Sequence, residues 1–198
     1  MIIWINGTFG SGKTTTAYEL QKRIADSFVY DPEKFGFVLM ANVPKEISKI
    51  DFQDYPLWRE VNFTLLKQVV EDYEGTLIVP MTLTDEHYFE EIVGRLRADG
   101  IEVNHFTLMA IEATIQKRLK SRLEGKNSWA HNQMEKRLSS LAKETFKEHI
   151  QTDGMSIDEI GTWIAMQVGI ELLPDHRPKF KKSLDRTIIK IKEKMIFN

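Results

Sequence analysis

Residues 7–14 read GTFGSGKT, a G-x-x-x-x-G-K-T spacing in which every fixed residue has a use on a polyphosphate. Gly7 and Gly12 let the main chain turn where a Cβ would clash, so successive N–H groups point inward around an anion. Lys13 adds a mobile charge for the outer phosphates and Thr14 offers a hydroxyl to Mg²⁺. The helix opening there aims its positive end at the same place. Gly10, Ser11 and Thr15 complete the stretch expected to touch the nucleotide. The predicted cofactors are ATP and Mg²⁺.

A phosphate loop serves switches, motors and kinases alike, so the other strand ends must decide. SFVYDPEKFG brings Asp31 and Glu33 to the end of a second predicted strand. TLIVPMT ends a third in Pro80, Met81 and Thr82, with no carboxylate to orient an attacking water. That pattern suits phosphoryl transfer to a substrate hydroxyl, with Asp31 taking its proton. Asp31-Pro32 is equally a helix-start signal.

Arg118 and Arg122 fall four apart on one face of a predicted helix, and Arg137 lies on the next. Guanidinium groups there would steady the charge of a transferring phosphoryl group. With Lys117, Lys120 and Lys126 nearby, the same run also reads as a solvated basic face. EGKNSWA between the two helices, with Gly125, has the character of a lid. DFQDYPLWREVNF places Tyr55, Trp58 and Arg59 where a kinase inserts its acceptor-binding helices, although Trp58 alone reads more simply as core. The expected acceptor pocket is Asp31, Glu33, Tyr55, Trp58, Arg59 and Met81. The five histidines show no metal-ligand spacing.

Short apolar runs alternate with helical patterns and supply the elements that would hold these residues. Residues 2–6, 28–31, 76–80 and 103–108 read as strands, with 148–152 a weaker fifth. Apolar residues at helical spacing lie between them. The alternation predicts an α/β fold with a five-stranded parallel sheet and helices on both faces. Pro56 suits a first helical turn, and Ser156 with Glu159 forms a capping box opening the last core helix.

The chain has 198 residues, enough for one well-buried domain; 42% are hydrophobic and 28% charged, the composition of a soluble globular protein. It has no cysteine, which excludes disulfides and thiolate chemistry. The start reads as strand rather than signal peptide, and no apolar run approaches a membrane span. Residues 1–170 are expected to form the core domain, and 171–198 a linker and a basic amphipathic helix. From residue 176 onward eight Lys or Arg face two Asp or Glu, a net +6 against −8 for the rest. Phe180, Leu184, Ile188, Ile191 and Met195 form an apolar stripe at helical spacing. Residues 179–197 therefore suit an anionic membrane surface, or a helix docking its stripe on the acidic core or on a second subunit.

GTFGSGKT, VYDPEKFGF, DFQDYPLWR, LIVPMT, GRLR, HFTLMA, EGKNSWA and HIQTD together resemble the bacterial tunicamycin resistance proteins over residues 1–153. The resemblance implies a P-loop fold of the nucleotide and shikimate kinase type, ATP as nucleotide, and a cytoplasmic or peripheral-membrane location. It carries phosphate-loop roles onto Gly7, Gly12, Lys13 and Thr14, and a base role onto Asp31. It also implies tunicamycin or a similar nucleoside antibiotic as partner, with no nucleic acid. The expected function is a small-molecule kinase that phosphorylates a hydroxyl of the drug, with Lys13, Asp31, Arg118 and Arg122 catalytic and Arg137 on the nucleotide. The rivals are a membrane-associated ATP-binding protein that sequesters the drug, and a nucleoside or nucleotide kinase.

Overall fold

A computed structural model describes residues 1–120 and 129–196. Arg122, Gly125 and the expected lid up to residue 128 lie outside the described residues, as does residue 197 of the tail.

The strands are β1 (Ile2–Gly7), β2 (Ser27–Val29), β3 (Thr76–Pro80), β4 (Val103–Met109) and β5 (His149–Gln151). They form one parallel sheet in the order β2-β3-β1-β4-β5, as the alternating pattern predicts. The helices are α1 (Lys13–Gln21), α2 (Pro32–Ala41), α3 (Pro56–Asp72), α4 (Glu86–Phe89), α5 (Arg95–Ala98), α6 (Glu112–Lys120), α7 (Trp129–Leu141), α8 (Ile157–Gln167) and α9 (Lys179–Ile196).

β1 lies at the centre of the sheet and all six of its residues are buried. Side chains alternate across a strand, and β1 uses that alternation to feed two cores. Ile2 and Trp4 join Leu77, Val79, Trp58 and Leu66 on one face. Ile3 and Ile5 join Ile78, Leu108, Leu20 and Ile164 on the other. The chain winds to one side of β1 through β2 and β3 and to the other through β4 and β5, so the crevice at the carboxyl end of β1 is the natural ligand position. Pro56 occupies the first turn of α3. The box at α8 forms as expected, the Ser156 N–H donating to Glu159 at 2.7 Å and the Glu159 N–H to Ser156 Oγ at 3.2 Å.

The tail docks on the body, but with the opposite face from the one its pattern suggests. Arg177 donates to Glu19 of α1 at 2.7 Å, to Asp175 at 2.8 Å and to Asp185 at 2.6 Å. Arg186 reaches Asp158 at 2.9 Å, and Lys182 reaches Asp175 at 2.9 Å. The stripe of Phe180, Leu184, Ile188 and Ile191 remains exposed. Arg177 holds the Asp175 carboxyl far below the usual range, and its bond to Asp185 and Lys22's to the same group act likewise there. Glu19 also stays low because Arg177 and Lys22 outweigh its burial. The carboxylates of Glu19, Asp158 and Asp175 lie within 4.8 Å of one another, yet each is already engaged by these cations. Among the described residues no helix is long and apolar enough to cross a membrane.

Because Glu19 is buried, removing its principal cation leaves a poorly compensated charge. Arg177→Met should lower stability by about 1–3 kcal/mol, measured by urea unfolding at low salt; an unchanged midpoint would show that the network contributes nothing.

Candidate nucleotide and acceptor site

The phosphate loop begins where β1 ends. Gly7 has φ +147° and a Cβ there would lie 2.5 Å from Ser11 Oγ; Gly12, at φ +103°, immediately precedes α1. Only glycine satisfies both conditions at Gly7. Gly10 packs against Leu119 of α6.

The loop is held from outside by a residue the motif does not contain. Asn6 is fully buried, and its Oδ1 accepts the N–H groups of Gly7 at 2.8 Å and Leu83 at 3.0 Å. Its Nδ2 donates to the Leu83 carbonyl at 2.8 Å and lies 3.2 Å from His105 Nε2. Thr82 Oγ1 donates to the Gly7 carbonyl at 2.6 Å. These bonds tie the ends of β1 and β3 together. Burial, with the Arg97 charge second, lowers the His105 pKa from 6.5 to about 3. The ring is therefore neutral and can accept from the Asn6 amide.

Within the loop and the first turn of α1, the buried hydroxyls of Thr8, Ser11, Thr15 and Thr16 have no hydrogen-bond partner in the protein. A buried hydroxyl without a partner costs about 1–3 kcal/mol, so four gathered beside a ring of amides fit an anionic oxygen ligand. Thr14 is half-buried on the same turn. The residues present thus suit a nucleotide's phosphates and an accompanying Mg²⁺.

Two cations lie close to the Phe9 ring of the loop. Lys13 Nζ stands 5.6 Å from the Phe9 ring centroid and the Arg137 guanidinium 4.8 Å. Each meets a carboxylate: Lys13 faces Glu33 at 3.9 Å, and Arg137 donates to Asp51 at 3.3 Å. Glu33 lies in the first turn of α2, so the end of β2 closes on the loop. Asp31 caps that helix, its Oδ1 accepting the Glu33 N–H at 3.1 Å. Tyr30, just before it, donates to Asn62 at 2.8 Å and anchors the strand end to α3.

Arg137 also lines a cleft of about 420 Å³ with Asp51, Gln53, Asp54, Asp85 and Tyr88. Tyr88 donates to Asp54 at 3.0 Å. This polar cleft connects to the loop through Arg137, and Tyr55, Trp58 and Arg59 do not line it.

Several predicted contacts are corrected by this geometry. Trp58 is fully buried and its Nε1–H donates to the Pro32 carbonyl at 3.1 Å, so it packs the core and offers no stacking surface. The Met81 side chain is likewise buried in the core. Arg59 is buried between the Glu91 carboxylate and the Tyr88 ring, 4.1 Å from its centroid, and bonds the Gln53 carbonyl. It supports a cleft residue and does not reach the cleft itself. Tyr55 accepts the Lys49 N–H at 2.6 Å and packs against the core. Arg118 donates to the Ser11 carbonyl at 3.2 Å and to the Thr152 carbonyl at 3.0 Å. It braces the loop against the end of β5 instead of reaching over a transferred group. Asn6, Phe9, Asp51, Gln53 and His105 escaped the sequence reading. An amide at the end of an otherwise apolar strand was the one signal available for Asn6.

The family model described as AAA domain matches residues 2–148. The tunicamycin resistance protein of Deinococcus radiodurans is 33% identical, with a TM-score of 0.74 over 88% of this chain and 99% of its own. The chain belongs to the AAA-domain family and to the tunicamycin resistance proteins. Thymidylate kinase from Candida albicans, 20% identical, superposes with a TM-score of 0.57 over 88% of this chain and 95% of its own. A sugar kinase from Janibacter sp. HTCC2649, 17% identical, gives 0.57 over 84% and 91%. At those identities the two kinases show the fold alone. No curated protein sequence matches the chain. The tunicamycin resistance family therefore shares a P-loop kinase-like sheet with these enzymes, as the resemblance implies.

The Asn6–His105 contact makes a pH prediction. Unfolded histidine takes a proton below about pH 6.5, whereas folded His105 does so only near 3. The unfolded state therefore binds more protons in that window, and stability falls as pH drops from 6.5 toward 3. The slope for this one group approaches about 1.4 kcal/mol per pH unit. Urea unfolding between pH 7 and 5 should show a shallower slope for His105→Gln than for the parent; equal slopes would mean that the folded ring takes its proton in the same range as the unfolded one.

Proposed function

We propose that the protein is an ATP-dependent phosphotransferase that modifies a hydroxyl of tunicamycin or a related nucleoside antibiotic. The observation that carries this reading is the continuity of loop and cleft through Arg137, which stands over Phe9 of the phosphate loop and also lines the polar cleft. Membership of the tunicamycin resistance family supports the choice of acceptor.

In this reading the amides of residues 7–14, Lys13 and the partnerless hydroxyls hold ATP, and Thr14 offers its oxygen to Mg²⁺. Bound ATP supplies the phosphoryl group. Asp51, Asp54 and Asp85 accept hydrogen bonds from acceptor hydroxyls in the cleft. Asp31 takes the proton that the reacting hydroxyl loses, its carboxylate oriented by the Glu33 N–H. Arg137 steadies the negative charge that develops between the two sites. Arg118 keeps the loop in shape through Ser11.

The exposed stripe of α9 supports a cytoplasmic protein that associates peripherally with an anionic membrane through residues 179–197. It also favours a second reading, in which a membrane-associated protein sequesters the drug without chemistry.

Incubation with ATP, Mg²⁺ and tunicamycin followed by mass spectrometry separates the two. Transfer adds one phosphoryl group to the drug, whereas unmodified drug bound only with ATP present supports sequestration. Asp31→Asn keeps a helix-capping side chain, so it should retain nucleotide affinity while turnover falls by about 100-fold or more; parental turnover would remove Asp31 as the base. Leu184→Glu with Ile188→Glu should weaken binding to anionic vesicles by about tenfold or more in a sedimentation assay. Undiminished binding would place the membrane contact elsewhere.

A further inference from the structure

Lys13 and Arg137 are both buried and both stand over the Phe9 ring. Two buried cations this close to one ring each need an anion to compensate them. Burial works against the Arg137 charge, and Asp51 and Glu33 offset that cost. The two carboxylates come from separate elements, Glu33 from the first turn of α2 and Asp51 from the turn leading to α3. Of the two, Asp51 lines the cleft.

These pairings are loose compared with others in the same molecule. Lys13 and Glu33 are 3.9 Å apart, beyond hydrogen-bond distance, and Arg137 meets Asp51 at 3.3 Å. Arg95, by contrast, grips both oxygens of Glu60 at 2.6 and 3.2 Å. A phosphate carries more charge than a carboxylate and can engage a guanidinium through two oxygens, so it outcompetes such partners.

Asp51 is also held independently of Arg137. Its Oδ1 accepts the Gln53 N–H at 3.0 Å, and Gln53 Nε2 donates to the Thr82 carbonyl at 3.1 Å. Thr82 in turn holds Gly7. The carboxylate thus stays fixed on the cleft wall with its other oxygen turned over to whatever occupies the cleft.

We propose that Glu33 and Asp51 are internal stand-ins for nucleotide phosphates, and that nucleotide binding hands Asp51 over from Arg137 to the acceptor. The inference rests on reading the cleft as the acceptor site. It makes acceptor binding depend on nucleotide: before the exchange Asp51 is occupied by Arg137, and afterwards it is an anchored acceptor for a sugar or nucleoside hydroxyl. By linkage the acceptor tightens the nucleotide by the same factor.

Calorimetric titration tests both halves. ADP with Mg²⁺ should bind Asp51→Asn and Glu33→Gln about fivefold or more tighter than the parent, because less negative charge competes for Lys13 and Arg137. The amide at position 51 retains the oxygen that accepts from Gln53, which keeps the turn formed. Unchanged or weaker nucleotide affinity in both variants overturns the stand-in role. The parent should bind tunicamycin about fivefold or more tighter with ADP and Mg²⁺ present than without, and Asp51→Asn should bring that ratio close to one. A parental ratio of one, or a ratio undiminished in Asp51→Asn, overturns the hand-over. If tunicamycin binds in no state, the acceptor assignment of the cleft fails, while the ADP titrations still decide the exchange at the loop.

Discussion

A ring of main-chain amides directed at one point is a shape the polypeptide does not hold unaided. The N–H dipoles converge and repel, glycines sit at positive φ, and four hydroxyls are sealed from water without partners. A buried hydroxyl without a partner costs about 1–3 kcal/mol, so four of them beside the amides favour an anion that can accept from them. A polyphosphate is such an anion. Keeping this shape requires rigid support from outside the loop: Asn6 clamps the entry, Thr82 holds Gly7, and Arg118 takes the Ser11 carbonyl. Each support reaches the loop from the end of a different strand or from the helix after it, so the sheet is the jig that holds the anion site open.

The same logic explains where charge lies around the loop. Buried cations that await an anion must be neutralised while they wait. Glu33 does this for Lys13 and Asp51 for Arg137, and because Asp51 and Arg137 also line the cleft, loop and cleft share charge. Asp31 fits the same scheme. As the cap of α2 it is oriented by the Glu33 main-chain N–H.

Much of this was legible in the letters, and the boundary falls along a physical line. Features that depend on local sequence were readable: all five strands, the glycine loop, Pro56 at a helix start, and the Ser156–Glu159 box. Each arises from a period of two or 3.6 residues or from a cap spanning four. Features that depend on where a long side chain finally points were not. Arg118 reads as a phosphate-facing guanidinium on its helix, but Ser11 and Thr152 lie closer to its fork. Arg59 and Trp58 sit in a stretch rich in binding-prone residues, yet Trp58 fills the core of Ile2 and Trp4 and bonds Pro32 of α2, while Arg59 braces Gln53. The pairs Lys13–Glu33 and Arg137–Asp51 join residues 20 and 86 positions apart, a separation at which no periodicity speaks.

The tail shows the same limit most plainly. A helix with an apolar stripe ordinarily buries it, and α9 does the reverse. The reason lies in the surface it meets. The inward side of α1 is spent on the sheet and α8 through Ala17 and Leu20, and the adjoining apolar edge is already covered by Ile170 and Leu172. On the side of α1 that α9 meets stand Glu19 and, at its C-terminal cap, Lys22, with Asp158 nearby on α8. A helix arriving as a third layer finds charges there and must bring charges to meet them: Arg177, Lys182 and Arg186 meet Glu19, Asp158 and Asp175, while Lys22 meets Asp185. Once those residues face inward, helical geometry fixes the rest. Phe180, Leu184 and Ile188 must point away, so the exposed apolar stripe is the direct geometric consequence of an acidic side chain, Glu19, buried six residues beyond Lys13 on α1.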